Sequence, residues 1–192
     1  MLNTQTNEEW KDEIMTSKDD LPGMSRAEII ARWGEKGYDS IGRFGCVITS
    51  LSSVLNDFHK TSYFTPLWIN TVLRDHKGYQ FLKEKRNCNI GEESFIDWDV
   101  FSDFFDVKNI RNKIQPSEIE IKSPVKYYLA RVPYSPERNI WSGHYNLIVN
   151  YHGGIITHFD SDTGVRRVDW GKSDLYWIKE IEFKKVSEKK YG

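Results

Sequence analysis

The sequence predicts an α+β domain, with N-terminal helices packed on a C-terminal antiparallel sheet. Three observations lead there: apolar residues recur at helical spacing before residue 105, β-branched and aromatic runs crowd the chain after Pro124, and paired glycines, Gly153-Gly154, join two of those runs. A chain of 192 residues has the length of one ordinary domain and can bury a core without disulfides or metals. Seven Trp, ten Tyr and ten Phe demand a packed interior.

Residues 6–20 place Trp10, Ile14 and Met15 among charges at roughly helical spacing, so residues 1–25 read as a helical N-terminal extension of a single domain, 1–192, closed by Leu21-Pro22-Gly23. A second, weaker helical stretch covers 26–33. Gly34, Gly37, Gly42 and Gly45 then crowd into a loop. The strongest helical pattern is 46–56, CVITSLSSVLN, where Val47, Leu51, Val54 and Leu55 form a stripe at intervals of three and four. Thr65 as cap and Pro66 at the first position start another helix, with Trp68, Ile69, Val72 and Leu73 on one face and an end near Gly78. Within 80–114 one short helix is expected, where Phe95, Trp98, Val100, Phe101 and Phe104 turn inward. Strands are expected at 125–132, 144–151, 154–159 and 175–183, the middle two joined as a hairpin at His152-Gly153-Gly154.

Composition narrows the function. With 27 basic and 28 acidic residues, nothing electrostatic favours nucleic acid or an anionic membrane as partner. Two distant cysteines, Cys46 and Cys88, make no disulfide framework and are expected to be reduced. Residues 1–25 are polar, without a signal peptide or membrane-spanning run, so the expected address is cytoplasmic. Frequent Lys, Asn and Ile suit a bacterial or phage source of low GC content.

The candidate chemistry centres on Cys46. A thiol becomes a nucleophile as its thiolate, which a helix N-terminus and a neighbouring imidazole both favour. Cys46 opens the strongest helix, and Gly42 and Gly45 before it leave room for a substrate backbone. A lone cysteine opening a helix is more often a small buried apolar residue. Its company raises the odds. His144 begins a strong strand and is expected at the edge of the sheet, suited to take a proton. Beyond the glycine hairpin, Asp160 and Asp162 stand near enough to orient that imidazole, and strand alternation would put both on one face. Trp141, just before the histidine strand, could wall a groove. His158 lacks any metal-ligand spacing with His144, so no metal or cofactor is expected. His59, His76 and His152 are expected in solvent, and Cys88 as a bystander.

These residues resemble a known family. The run Ser40-Ile41-Gly42-Arg43-Phe44-Gly45-Cys46-Val47-Ile48-Thr49-Ser50-Leu51, with Thr65-Pro66 and Asn70 beyond, looks like the nucleophile region of papain-like cysteine peptidases of the bacteriocin-processing, double-glycine-leader type. Gly143-His144-Tyr145 before an apolar strand, a glycine hairpin and Asp160-Ser161-Asp162-Thr163-Gly164 are similar to that family's histidine strand and aspartate turn. The resemblance covers roughly 38–164. It implies a papain-like fold, a peptide or protein substrate, and Cys46 as nucleophile, His144 as general base and acid, and Asp160 as orienting carboxylate. Gly45, Gly143 and Trp141 would then line the substrate.

The chain departs from that family at one point. The family's glutamine, a side-chain donor to the oxyanion upstream of the cysteine, has no counterpart between Met24 and Cys46, where neither Gln nor Asn occurs. Gln5 is remote in sequence, and the hydroxyls of Ser25 and Ser40 stand closer. Beside hydrolysis of a peptide or amide bond, two alternatives follow: a weak or silent papain-like module that binds a partner protein, and a hydrolase of peptidoglycan peptides.

Overall fold

The computed structural model describes residues 2–4, 6–17, 23, 25–27, 30, 35, 38–79, 96–132, 144–152, 155–164, 166–168 and 177–184, and within them the chain is α+β. In chain order come strands β1 (Ile14–Ser17) and β2 (Tyr38–Ser40), one helical turn α1 (Ile41–Phe44), and helices α2 (Cys46–Phe58), α3 (Pro66–Asp75) and α4 (Trp98–Phe104). Strands β3 (Val107–Arg111), β4 (Lys126–Val132), β5 (His144–His152), β6 (Ile155–Phe159), β7 (Arg166–Val168) and β8 (Trp177–Phe183) follow. β1 pairs with β2. The other six form one antiparallel sheet in the order β3-β8-β4-β5-β6-β7.

Helix α2 is the axis of the fold. Residues 46–56 of it are all buried, more than its apolar stripe alone requires. Ile48, Leu51, Val54 and Leu55 share one core with Leu129 of β4, Tyr145 and Leu147 of β5, Phe159 of β6, and Ile181 and Phe183 of β8. Ile69 and Leu73 of α3 join it. The hydroxyl-bearing side of α2 meets the N-terminal segment, where Asn3 donates its backbone N–H to Ser53 Oγ at 2.9 Å and its Nδ2 to Ser52 Oγ at 2.8 Å. The buried Ser52 and Ser53 hydroxyls are therefore matched, whereas the Thr49 Oγ1 of the same helix has no hydrogen-bond partner among the described residues. On the opposite face of the sheet Tyr128, Ala130, Ile148, Ile156 and Ile178 gather with Ile114 and Ile119. Alternation along β4 separates the two cores, as a period of two demands.

Helix α3 starts as its sequence dictates, with Thr65 Oγ1 accepting from the Trp68 N–H at 3.1 Å and Pro66 at the first position. Asp97 caps α4 in the same way, from the N–H groups of Asp99 and Val100. Phe101 of α4 is fully buried, whereas Phe104 is exposed. β5 and β6 form the expected hairpin, with His152 opposite Ile155; its turn glycines, Gly153 and Gly154, lie outside the described residues. Of the helix expected at 26–33, Arg26, Ala27 and Ile30 are helical and the rest lies outside the described residues. The short strands β2, β3 and β7 were not apparent from residue pattern. β3 is an edge strand whose alternation is hidden by charge: Arg111 grips Glu180 at 2.7 and 3.1 Å and Lys108 meets Glu182 at 2.7 Å.

The N-terminal segment corrects one expectation. Residues 6–17 form turns followed by β1, not a helix. Trp10 and Met15 are buried in the main core, so the segment is an integral part of it. Its backbone is already committed to a partner: Ile41 N–H donates to Glu13 O at 2.9 Å and Gly42 N–H to Lys11 O at 2.7 Å. Residues 14–17 pair with 38–40 as extended strands, and an extended backbone engaged in a ladder cannot close helical rings. The result is a strap holding the turn that leads into α2. No helix among the described residues is long and apolar enough to cross a membrane.

The glycines of that turn serve the chain itself. A Cβ on Gly42 would stand 2.8 Å from Lys11 O, and one on Gly45 would stand 2.4 Å from Ile41 O and 2.7 Å from Ile41 Cγ2. The space that a Cβ on Gly45 would take is thus occupied by Ile41. Gly45→Ala must displace backbone, and by analogy with overpacked cores it should cost about 1–3 kcal/mol. Urea unfolding followed by circular dichroism reads this directly; an unchanged midpoint would show that the turn yields without cost.

Candidate active site

Cys46 is the first residue of α2, with Gly45 at the cap position. No side chain caps this helix start and no acidic residue stands in its first turn. The positive end of the helix dipole is therefore not offset by a carboxylate of the helix itself, and it favours negative charge at the first side chain. Cys46 is buried and is not joined in a disulfide.

His144 is the first residue of β5, opposite Val132 at the end of the β4–β5 ladder. This end of the sheet lies against the start of α2, and the His144 ring hydrogen-bonds Cys46 there. Its Nε2 stands 3.0 Å from Asp160 Oδ1. With Nε2 engaged by the carboxylate, Nδ1 is the ring nitrogen left to face sulfur. The ring is more enclosed than its place at a strand end suggests, being only 8% exposed.

Asp160 follows the last residue of β6 and opens a tight turn. Gly164 N–H returns to Asp160 O at 2.8 Å, and Gly164 takes the left-handed φ of 72° that glycine adopts without strain. Oδ1 of Asp160 also accepts the N–H of Asp162 at 2.9 Å and that of Thr163 at 3.4 Å. One carboxylate thus caps its own turn and holds the imidazole. Asp162 lies in that turn rather than on a strand, so alternation does not apply to it. It gives its N–H to Asp160, and its carbonyl accepts from Thr6 Oγ1 at 3.0 Å. The strap therefore reaches the acid turn as well as the nucleophile turn, an arrangement that the helical expectation for residues 6–20 concealed.

The charges reinforce one another. Burial opposes a proton on His144, but the hydrogen bonds and negative charges of Asp160 and Cys46 outweigh it and raise the imidazole to about 10. Burial likewise pushes the Asp160 carboxyl up, yet the His144 hydrogen bond and charge, with the N–H groups of Asp162 and Thr163, hold it well below the usual carboxylate range. An imidazolium between sulfur and carboxylate is the arrangement these directions describe. Chemically, an imidazolium in this position can deliver a proton to a leaving group.

His158 belongs to a different layer. It is fully buried, with Nδ1 2.9 Å from Asn146 Nδ2. Among the described residues no group of three or more His, Cys, Asp or Glu gathers to hold a metal ion. His59, His76 and His152 are exposed. Trp141, Gly143, Cys88 and Gln5 lie outside the described residues. Compared with the models of known protein families, with curated proteins and with solved structures, the chain matches none.

Stability should carry the signature of the buried imidazolium. An unfolded histidine titrates near 6.5, below its folded value of about 10. Its contribution is therefore complete below about pH 6.5 and lost as pH rises through about 10. Asp160, depressed in the fold, contributes above the ordinary carboxylate range and loses that contribution as pH falls through it. Thermal unfolding of wild type and His144→Gln from pH 6 to 10.5 should show the wild-type advantage shrinking toward the alkaline end. A difference independent of pH would contradict the charged ring.

Proposed function

We propose that this chain is a papain-like cysteine peptidase that hydrolyses a peptide or amide bond through a thioester on Cys46. The observation that carries the reading is the His144 ring held between Cys46 and Asp160. The Cys46 thiolate attacks the carbonyl carbon, forming a C–S bond and placing the negative charge on oxygen. Collapse breaks the C–N bond as His144 gives its proton to the leaving amine. Neutral His144 then takes a proton from water, whose hydroxide attacks the thioester; the acyl group leaves as a carboxylic acid and sulfur returns as thiolate. Asp160 stays ionised throughout and fixes the ring.

The developing oxyanion needs donors. Backbone N–H groups at the start of α2 are near the sulfur, and the family that the sequence resembles adds a glutamine. The nucleophile turn lacks one, but the strap brings both chain neighbours of Gln5 to the acid turn. Thr6 donates to Asp162 O, and a Cβ on Gly164 would stand 3.0 Å from Thr4 Cγ2. Gln5 is thus the glutamine to test first. Its truncation, if it is the donor, should lower turnover about a hundred- to a thousandfold.

The absence of Gln and Asn between Met24 and Cys46 favours one competing reading, a silent papain-like cleft that holds a partner peptide without cutting it. Two measurements separate them. A peptide carrying a thiol-reactive electrophile should label wild type and leave Cys46→Ala unlabelled; equal labelling of both, or none of either, would remove the enzymatic reading. On any peptide substrate that the unlabelled wild type turns over, Gln5→Ala should lose about a hundredfold or more in kcat, and full activity of that variant would assign the donor elsewhere.

A further inference from the structure

Each of the three candidate side chains has a polar neighbour fixed to it by backbone geometry. Ser50 lies one helical turn after Cys46, on the same face of α2, with its side chain leaning toward the helix start. Ser161 follows Asp160 in the acid turn. Tyr145 follows His144 on β5. These neighbours meet at one atom: the Tyr145 carbonyl accepts Ser50 Oγ at 3.4 Å and Ser161 Oγ at 3.3 Å. All three residues are 2% exposed or less.

From this convergence we propose that Ser50 and Ser161 are positioning residues, a hydroxyl–carbonyl–hydroxyl clamp beneath the site that fixes where the His144 ring sits between Cys46 and Asp160. The inference rests on the cysteine-peptidase reading and names how that site is held. A carbonyl oxygen has two lone pairs and can take both hydroxyls. The bonds come from opposite sides, one from the nucleophile helix and one from the acid turn. A shift of either element relative to β5 therefore stretches a bond at the residue next to His144. Both bonds are at the long end of the range, so each is individually modest. Their common acceptor is what ties three segments distant in sequence into one unit. The clamp holds the residue next to His144, so its effect passes through that ring, on which Cys46 and Asp160 are the titratable groups acting.

The test needs no known substrate. Alkylation of Cys46 by iodoacetamide is followed against pH in wild type, His144→Ala, Ser50→Ala, Ser161→Ala and Ser161→Thr, with thermal unfolding as the control for folding. Cys88, the other cysteine, is replaced by Ala throughout so that only Cys46 reacts. Loss of a clamp hydroxyl should slow alkylation near neutral pH about three- to tenfold and move the acid limb of the profile upward by roughly half to one pH unit. Ser161→Thr, which keeps the hydroxyl, should restore most of the rate. A profile unchanged in both alanine variants, while His144→Ala alters it, overturns the clamp and leaves the cysteine site standing. A wild-type profile indifferent to His144→Ala overturns both. Should Ser161→Ala fail to fold, Ser50→Ala alone decides the question by the same criteria.

Discussion

A buried imidazolium can persist only where negative charge and hydrogen-bond acceptors surround it closely. Among the described residues that condition is met where the first residue of α2 faces the first residue of β5. Taking an ion out of water costs several kcal/mol even after a protein relaxes around it. Asp160 offsets part of that cost through its contact with His144 Nε2, and sulfur supplies a second negative partner. The carboxylate would itself be costly to bury were it not fed by the N–H groups of its own turn. Each ion is thus tolerable because the next one is in position, which makes the group cooperative rather than a sum of pairs.

The surrounding architecture is arranged to keep those positions. Helix α2 is enclosed along nearly its whole length, so Cys46 cannot shift without disturbing the core. The strap meets α2 at Asn3, the acid turn at Thr6 and the nucleophile turn at Lys11 and Glu13. It touches both ends of the site without supplying any of its three ionisable groups. Gly42 and Gly45 let it and Ile41 approach the nucleophile turn more closely than any side chain would permit.

What was legible in the sequence is what depends on local pattern. The stripe of 46–56, the Thr65-Pro66 start, the main strands and the glycine hairpin all follow from spacing within a dozen residues. Cys46, His144 and Asp160 were legible because each sits where such an element begins or ends. The strap was not. Trp10 and Met15 fit a helix loosely, and what decides their conformation is the backbone of residues 38–42, far along the chain. β3 was hidden because an edge strand needs only one apolar face, and Lys108, Asn109 and Arg111 obscure its alternation. The tie between Asp160 and Asp162 was insoluble by alternation, since both lie in a turn, and turn geometry rather than strand parity chooses between them. The packing at Gly45 was hidden for a related reason: a missing side chain is visible in sequence, but the atom that occupies its space is not.

The strap's bond to the acid turn joins residues 156 apart in the chain, and the meeting of His144 with Cys46 joins the sheet to helix α2. Contacts of that span form late in folding, after local helices and hairpins, because a long loop must close before they contribute. The nucleophile helix, by contrast, is local and can exist early. A chain in which α2 has formed but the sheet has not yet docked would carry an ordinary thiol at the end of an ordinary helix. On the proposed reading, chemical competence is therefore among the last properties acquired on folding and among the first lost on partial unfolding, and reactivity at sulfur would report the completed tertiary structure more faithfully than helix content does.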